Sequence, residues 1–176
     1  MSSAPVHKVR PALPDDAAAI AEIYNRYVLE STATFELETV GGDAIAARMA
    51  ASPAGLGWLV VADPAGGVIG YASVAPWKPR GAYRQTVETS VYLHADAQGR
   101  GVAKAVYARL LDEVWSQGYH AALAGIALPN APSVGLHERL GFLPAGVLRE
   151  VGFKFGRWID VGYWQALNPT KGDDHA

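Results

Sequence analysis

The chain of 176 residues carries a formal net charge of −2, is 50% hydrophobic and has no cysteine. That length suits one domain around one core. The near-balanced charge, without a long basic block, argues against a nucleic-acid partner, and the missing cysteine excludes disulfides and thiolate chemistry. No stretch of about 18 apolar residues is present to span a membrane. The opening MSSAPVHKVR lacks the apolar centre of a secretory signal, so a cytoplasmic protein is expected.

In chain order, Val6 to Leu13 reads as a short strand, and Pro14 opens a helix with Asp15 and Asp16 in its first turn, where acids suit the helix dipole. Ile20, Ile23, Tyr24, Tyr27 and Val28 repeat at helical spacing. STATFELE, Ser31 to Glu38, is a loop, and a second helix is expected from Asp43 to Ala51. GWLVVAD, Gly57 to Asp63, and VIGYASVAPW, Val68 to Trp77, form a hairpin about the turn PAGG. A further strand covers Thr86 to Leu93. After it, Ala103, Val106, Tyr107, Leu110, Leu111 and Val114 make one apolar helical stripe. HAALAGIAL is a strand that Pro129 stops. NAPSVGLHERLGF is a short helix with Asn130 as cap, Pro132 in its first turn and Gly141 at its end. Strands over Phe142 to Leu148 and Trp158 to Leu167 follow, and NPTKGDDHA is a polar tail expected to be disordered. The order predicts a mixed α/β sandwich, helices on a central sheet, with residues 1–167 as a single domain and 168–176 as the tail.

The turn before the long helix carries a ligand signal. Gln98, Gly99, Arg100, Gly101, Val102 and Ala103 precede or begin that helix at the end of the Thr86 to Leu93 strand. Glycine lets a ligand approach the backbone. The free amides and dipole of a helix start favour an anion such as a phosphate, and Arg100 adds charge. The turn is neither a P-loop, since no Gly-Lys-Ser/Thr follows, nor a dinucleotide fingerprint, since Lys104 stands at the third glycine. Read alone it is equally a plain strand-to-helix turn.

Gln98-x-x-Gly101-x-Ala103 after TVETSVYL resembles the coenzyme A pyrophosphate loop of the GNAT superfamily of N-acetyltransferases, and NAPSVGLHERLGF resembles that superfamily's second signature. WKPRGAYRQTVETSVYL, ALPNAPSVGLHERLGF, GVLREVGFKFGRWIDVGYWQ and STATF narrow the resemblance to the phosphinothricin acetyltransferase group, over nearly the whole chain except the tail. The resemblance implies an α/β (α+β) fold with a mostly antiparallel central sheet, helices on both faces and a splayed centre holding acetyl-CoA. It further implies a homodimer that detoxifies small amino acid analogues, as in herbicide resistance, and no metal.

Acetyl transfer requires loss of the amine's proton, polarisation of the thioester carbonyl, protonation of the departing thiolate and alignment of both substrates. Glu88 shares a polar strand face with Thr86, Ser90 and Tyr92, and a partly desolvated carboxylate there can serve as base. Its bland alternative is a half-exposed strand residue paired with a cation; the resemblance assigns it as base. His137 stands where many GNAT enzymes carry tyrosine; it titrates near neutrality and is acid, base or only positioning. His137-Glu138 is no HExxH zinc motif, because Gly141 occupies the last position. By resemblance, backbone amides of Val91, Tyr92 and Leu93 polarise the carbonyl, Asn130 meets the pantetheine arm, and Ser133 also contacts the cofactor. For Asn130 this requires a polar atom left free by the helix cap.

In WKPRGAY, Lys78 and Arg80 beside Trp77 and Tyr83 suit an anionic amino acid, or else form a solvated loop. Phe35 and Glu36 approach from the first loop by resemblance. The expected activity is acetylation of the amine of phosphinothricin, methionine sulfoximine or methionine sulfone. The other readings are acetylation of another amine or a protein N-terminus, and a non-catalytic acyl-CoA-binding module.

Overall fold

The computed structural model describes residues 7–170; Val6 and the last six positions of the expected tail lie outside them. Strand β1 (Lys8–Pro11) leads through a 3₁₀ turn at Pro14–Asp16 into helix α1 (Ala17–Glu30), and α2 (Gly42–Ala50) follows the loop. Asp16 fixes the start of α1. Its carboxylate accepts the Leu13 amide at 2.7 Å and both terminal nitrogens of Arg10 at 2.6 and 2.8 Å. Strands β2 (Leu59–Ala62), β3 (Val68–Pro76) and β4 (Thr86–Leu93) precede α3 (Val102–Ser116), and β5 (Ala121–Ala127), α4 (Ala131–Arg139), β6 (Leu143–Lys154) and β7 (Arg157–Leu167) complete the chain.

The seven strands form one sheet in the order β1-β2-β3-β4-β5-β7-β6. Every pair is antiparallel except β4 and β5. The expected hairpin of β2 with β3 is present. Side chains alternate across a strand. On β4, Tyr92 meets Tyr24 and Tyr27 of α1, whereas Thr89 bonds the Tyr107 hydroxyl of α3 at 2.6 Å. Helices α1 and α3 therefore cover opposite faces. The core between them includes Ile20, Val28, Val74, Val87, Val106 and Leu110, all essentially sealed from solvent. Leu110→Ala is expected to cost about 2–5 kcal/mol of stability, read as a lower midpoint in urea unfolding with little change in slope.

One expectation is corrected. The last two strands run longer than predicted, to Lys154 and from Arg157, joined at Phe155 and Gly156, both with positive φ (51° and 73°). This is the left-handed pair that tight hairpin turns require. A bulge between Leu148 and Gly152, with Glu150 at φ 49°, breaks the alternation that would have extended β6 by inspection. Asn168, the first residue of the expected tail, is packed against the domain. It is buried, its amide nitrogen donates to the Tyr119 carbonyl at 2.8 Å, and its backbone donates to His120 at 2.8 Å.

Candidate active site

β4 and β5 pair only from Thr86 to Glu88, against Ala121 to Leu123. Beyond that the two strands part. Backbone groups on alternate residues of a strand point to opposite neighbours. His94 donates to Ile69 on the β3 side, so Tyr92 also points to β3, and Val91 and Leu93 point into the gap. The amide of Leu93 is already engaged, donating to the Tyr27 hydroxyl at 3.3 Å, while that hydroxyl donates to the Leu93 carbonyl at 2.7 Å. Val91 is thus the residue of the three whose amide faces the gap without a bond among the described residues.

Into this gap opens a cavity of about 720 Å³. Val91, Tyr92 and Leu93 line it from β4; Gln98, Gly99, Gly101, Val102 and Ala103 from the glycine turn; Asn130, Ser133 and His137 from α4. Arg100 is exposed and does not line it. Gly99 and Gly101 take φ of 72° and 77°, which glycine adopts without strain. The first bond within α3 runs from Ala105 to the Gly101 carbonyl at 3.1 Å, so the preceding amides are free at the cavity. Gln98 donates to the Tyr27 hydroxyl at 3.1 Å and ties the turn to α1. Asn130 Oδ1 caps α4 by accepting the Ser133 amide at 3.2 Å. Its Nδ2 makes no bond among the described residues, so one residue can cap the helix and still offer a donor.

His137 is buried. Its Nδ1 lies 2.7 Å from the Ser133 carbonyl. A carbonyl only accepts, so Nδ1 carries the proton and Nε2 presents a lone pair. That Nε2 is buried and has no partner. Burial holds the imidazole below its usual pKa, against the Ser133 bond, which raises it. The ring is therefore neutral at pH 7.

Glu88 lies on the opposite face from Thr89 and lines a second cavity of about 260 Å³. Phe35, Leu148, Val151 and Tyr163 supply much of its wall. Burial lifts the Glu88 carboxyl above the ordinary carboxylate range, and the charge of Lys78 partly opposes this. Of the predicted acceptor residues, Phe35 lines this cavity. Lys78 sits 4.7 Å over the ring of Trp77, which meets Tyr163 edge-on at 5.5 Å. Glu36 is tied to Arg48 at 2.6 Å. Arg80 and Tyr83 sit exposed at a 3₁₀ turn (Gly81–Tyr83). Glu36, Trp77, Lys78, Arg80 and Tyr83 line neither cavity.

Several lining residues carried no sequence signal. Lys104 and Arg139 place cations on the larger cavity, and Tyr27 reaches it from a helix read only as core. Lys154, also unforeseen, is buried and donates from Nζ to the Thr34 carbonyl at 2.8 Å, fastening the loop that carries Phe35 to β6. No cluster of three metal-ligating side chains occurs among the described residues.

Residues 9–162 match the family described as Acetyltransferase (GNAT) domain. The chain is 40% identical to a phosphinothricin N-acetyltransferase of Streptomyces viridochromogenes over 90% of its length and 86% of the relative's. It is 40% identical to an L-methionine sulfoximine/L-methionine sulfone acetyltransferase of Salmonella typhimurium, over 96% of both chains. A solved Salmonella typhimurium acetyltransferase with its cofactor acetyl-CoA superposes with a TM-score of 0.88 at 39% identity, covering 94% of this chain and 96% of that one.

Proposed function

The chain belongs to the GNAT acetyltransferase family, and from that membership we propose that it moves acetyl from acetyl-CoA to the amine of a small amino acid analogue. Phosphinothricin, methionine sulfoximine and methionine sulfone are the acceptors named for its relatives, and acetylating them is a detoxifying reaction. The observation that carries the reading is the pairing of two adjoining cavities. One has free helix amides and cations for a phosphate-bearing donor; the other is small and holds a single desolvated carboxylate.

In this reading the phosphates rest on the turn from Gln98 to Ala103, with Lys104 and Arg139 adding charge. The pantetheine arm lies in the gap between β4 and β5, met by Asn130 Nδ2. The Val91 amide donates to the thioester oxygen as it gains charge. Glu88 takes the ammonium's proton, directly or through water; the C–N bond forms, and the second proton that the nitrogen then sheds goes to the sulfur as the C–S bond breaks, so that the acetylated amine and free coenzyme A leave. With Nδ1–H turned to Ser133, the neutral ring of His137 has no proton to give from Nε2. Its Nε2 lone pair can receive the second proton that the nitrogen sheds and pass it to the departing sulfur, so the ring acts first as a base and not as the first acid. The loss in His137→Ala is therefore expected to be smaller than in Glu88→Gln and to shrink as pH rises.

Lys154 positions the acceptor loop. Lys154→Met removes a charged hydrogen bond worth about 1.5–3 kcal/mol, and the Michaelis constant for the acceptor should rise about tenfold or more. That for acetyl-CoA should stay near normal, and initial rates with each substrate varied separately check this.

We also propose a homodimer built on β6. This edge strand, its turn and the start of β7 leave Val147, Val151, Phe153, Phe155 and Trp158 more than half exposed, an apolar edge that an isolated chain would expose to aggregation. Light scattering of the wild type and of Phe153→Asp reads the state, with a shift to monomer expected in the variant.

A thiol-release screen over the three analogues and a peptide with a free N-terminus tests the whole reading. Release with an analogue and not the peptide is expected, because a cavity of about 260 Å³ matches a single amino acid. The reverse result would assign a protein N-terminus, and coenzyme A binding without release would leave a binding module.

A further inference from the structure

Gly125 is exposed although it stands in β5, inside the sheet. It pairs with Tyr163 of β7 on one side. On the other, the ladder to β4 has ended at Glu88 and Leu123; continued, it would bring Ser90 opposite Gly125. Its backbone is ordinary strand with no left-handed φ, so glycine is not needed for conformation. It is needed for space. A Cβ there would stand 3.3 Å from Tyr163 Cε1 and 3.7 Å from Glu88 Oε1. Gly125 and Ala33 are also the residues that line both cavities. Two small residues thus bound the passage between the donor and acceptor sides.

We propose that Gly125, together with Ala33, determines the size of the acyl group that the enzyme transfers. This rests on the acyl-CoA reading above and extends it to donor specificity. Bond formation requires amine and acyl carbon within about 3–3.5 Å. The two substrates can meet only where the cavities join, which is beside Gly125. Whatever the acyl carbon carries must fit in the same passage. A methyl group fits beside a glycine. A longer chain extends towards Tyr163 and Glu88, into the space the amine needs while its proton is removed. The missing side chain at Gly125 makes room for acetyl, and the nearness of Tyr163 and Glu88 sets the upper limit.

Calorimetric titration with coenzyme A, acetyl-CoA and propionyl-CoA reads this without an acceptor. In Gly125→Ala the added methyl group touches Tyr163 tightly but no backbone of another strand, so β5 is retained. Its affinity for coenzyme A should stay within about twofold of wild type, while acetyl-CoA should weaken about tenfold and propionyl-CoA more. Ala33→Gly should act oppositely and improve propionyl-CoA relative to acetyl-CoA several-fold, in binding and in turnover. Unchanged ratios among the three ligands in both variants would overturn the proposal. So would a wild type that binds none of them, which would also remove the donor reading. Altered ratios in a protein that acetylates no tested amine would uphold the passage while removing only the proposed acceptor.

Discussion

Glu88→Gln is expected to lower turnover by about 100-fold, the usual size of effect for a lost proton-transfer group, while both Michaelis constants change little. The acceptor's ammonium group cannot attack a carbonyl until it loses a proton. An α-amine in a peptide has a pKa of about 7.7–8.0 and a free amino acid a higher one, so at neutral pH most of the substrate is charged. Burial lifts the carboxyl of Glu88 above its ordinary range, which makes it a stronger base. It also makes wild-type activity fall on the acid side at a pH above the usual titration of glutamate. Glutamine has the same shape and no titration. In the variant the rate should instead climb about tenfold per pH unit towards the amine's own pKa, following the free amine alone.

The same shift has a sign in stability. A carboxyl with a raised folded pKa favours the fold most below its unfolded pKa, and that contribution is lost as pH rises through the folded value. Ionising the buried Glu88 is therefore a burden on the fold. Glu88→Gln should melt no lower than wild type at pH 7, with any gain disappearing below about pH 4, where the unfolded glutamate is itself protonated. Rate profiles and melting curves across pH check both halves. A variant with wild-type turnover from pH 6 to 9 (about three units around neutrality) would leave catalysis to alignment and the backbone amide alone.

The donor side of the site was more legible than the acceptor side, for a physical reason. A phosphate cradle is local, made from the glycines at 99 and 101 and the first amides of the helix they open, so a short stretch of sequence holds nearly all of it. Even there, part of one residue's role was not readable. Lys104 spoke against a dinucleotide fingerprint, yet it stands on the cavity wall as a cation. The acceptor cavity is assembled from four distant places. Phe35 comes from the first loop, Glu88 from β4, Gly125 from β5, and Leu148, Val151 and Tyr163 from the last hairpin. No spacing records that meeting. WKPRGAY drew attention because its charges and aromatics are consecutive, but consecutive residues on an exposed turn point in different directions. Only Trp77 and Lys78 come near Glu88, through Tyr163 and through charge. The fold order was readable because hydrophobic periodicity is local too. The irregularities in β6 were not: between Pro144 and Gly146 one extra residue shifts the alternation to the other face, and between Leu148 and Gly152 two extra residues interrupt it.

Gly101→Val should weaken coenzyme A binding by about 100-fold, or about 2.7 kcal/mol, and leave the fold standing. Gly101 is the N-cap of α3 at φ 77°, and nothing lies within 4 Å of where its Cβ would be. A side chain there meets no protein atom, so the fold suffers only the strain of a left-handed β-branched residue, roughly 1–2 kcal/mol. The open space belongs to the donor cavity, however, and the branched group would stand over the amides that receive the phosphates. The two effects separate with a control elsewhere in the chain. Gly66, in the turn between β2 and β3, has φ 92° and the same empty surroundings but lines neither cavity. Gly66→Val carries similar strain, so the two variants should melt within a few degrees of each other. Calorimetry should then find near-normal coenzyme A affinity in Gly66→Val and the large loss only in Gly101→Val. Near-normal affinity in both would move the phosphate site away from the turn. A matching loss in both would mean that backbone strain, spread through the sheet, weakens the site indirectly.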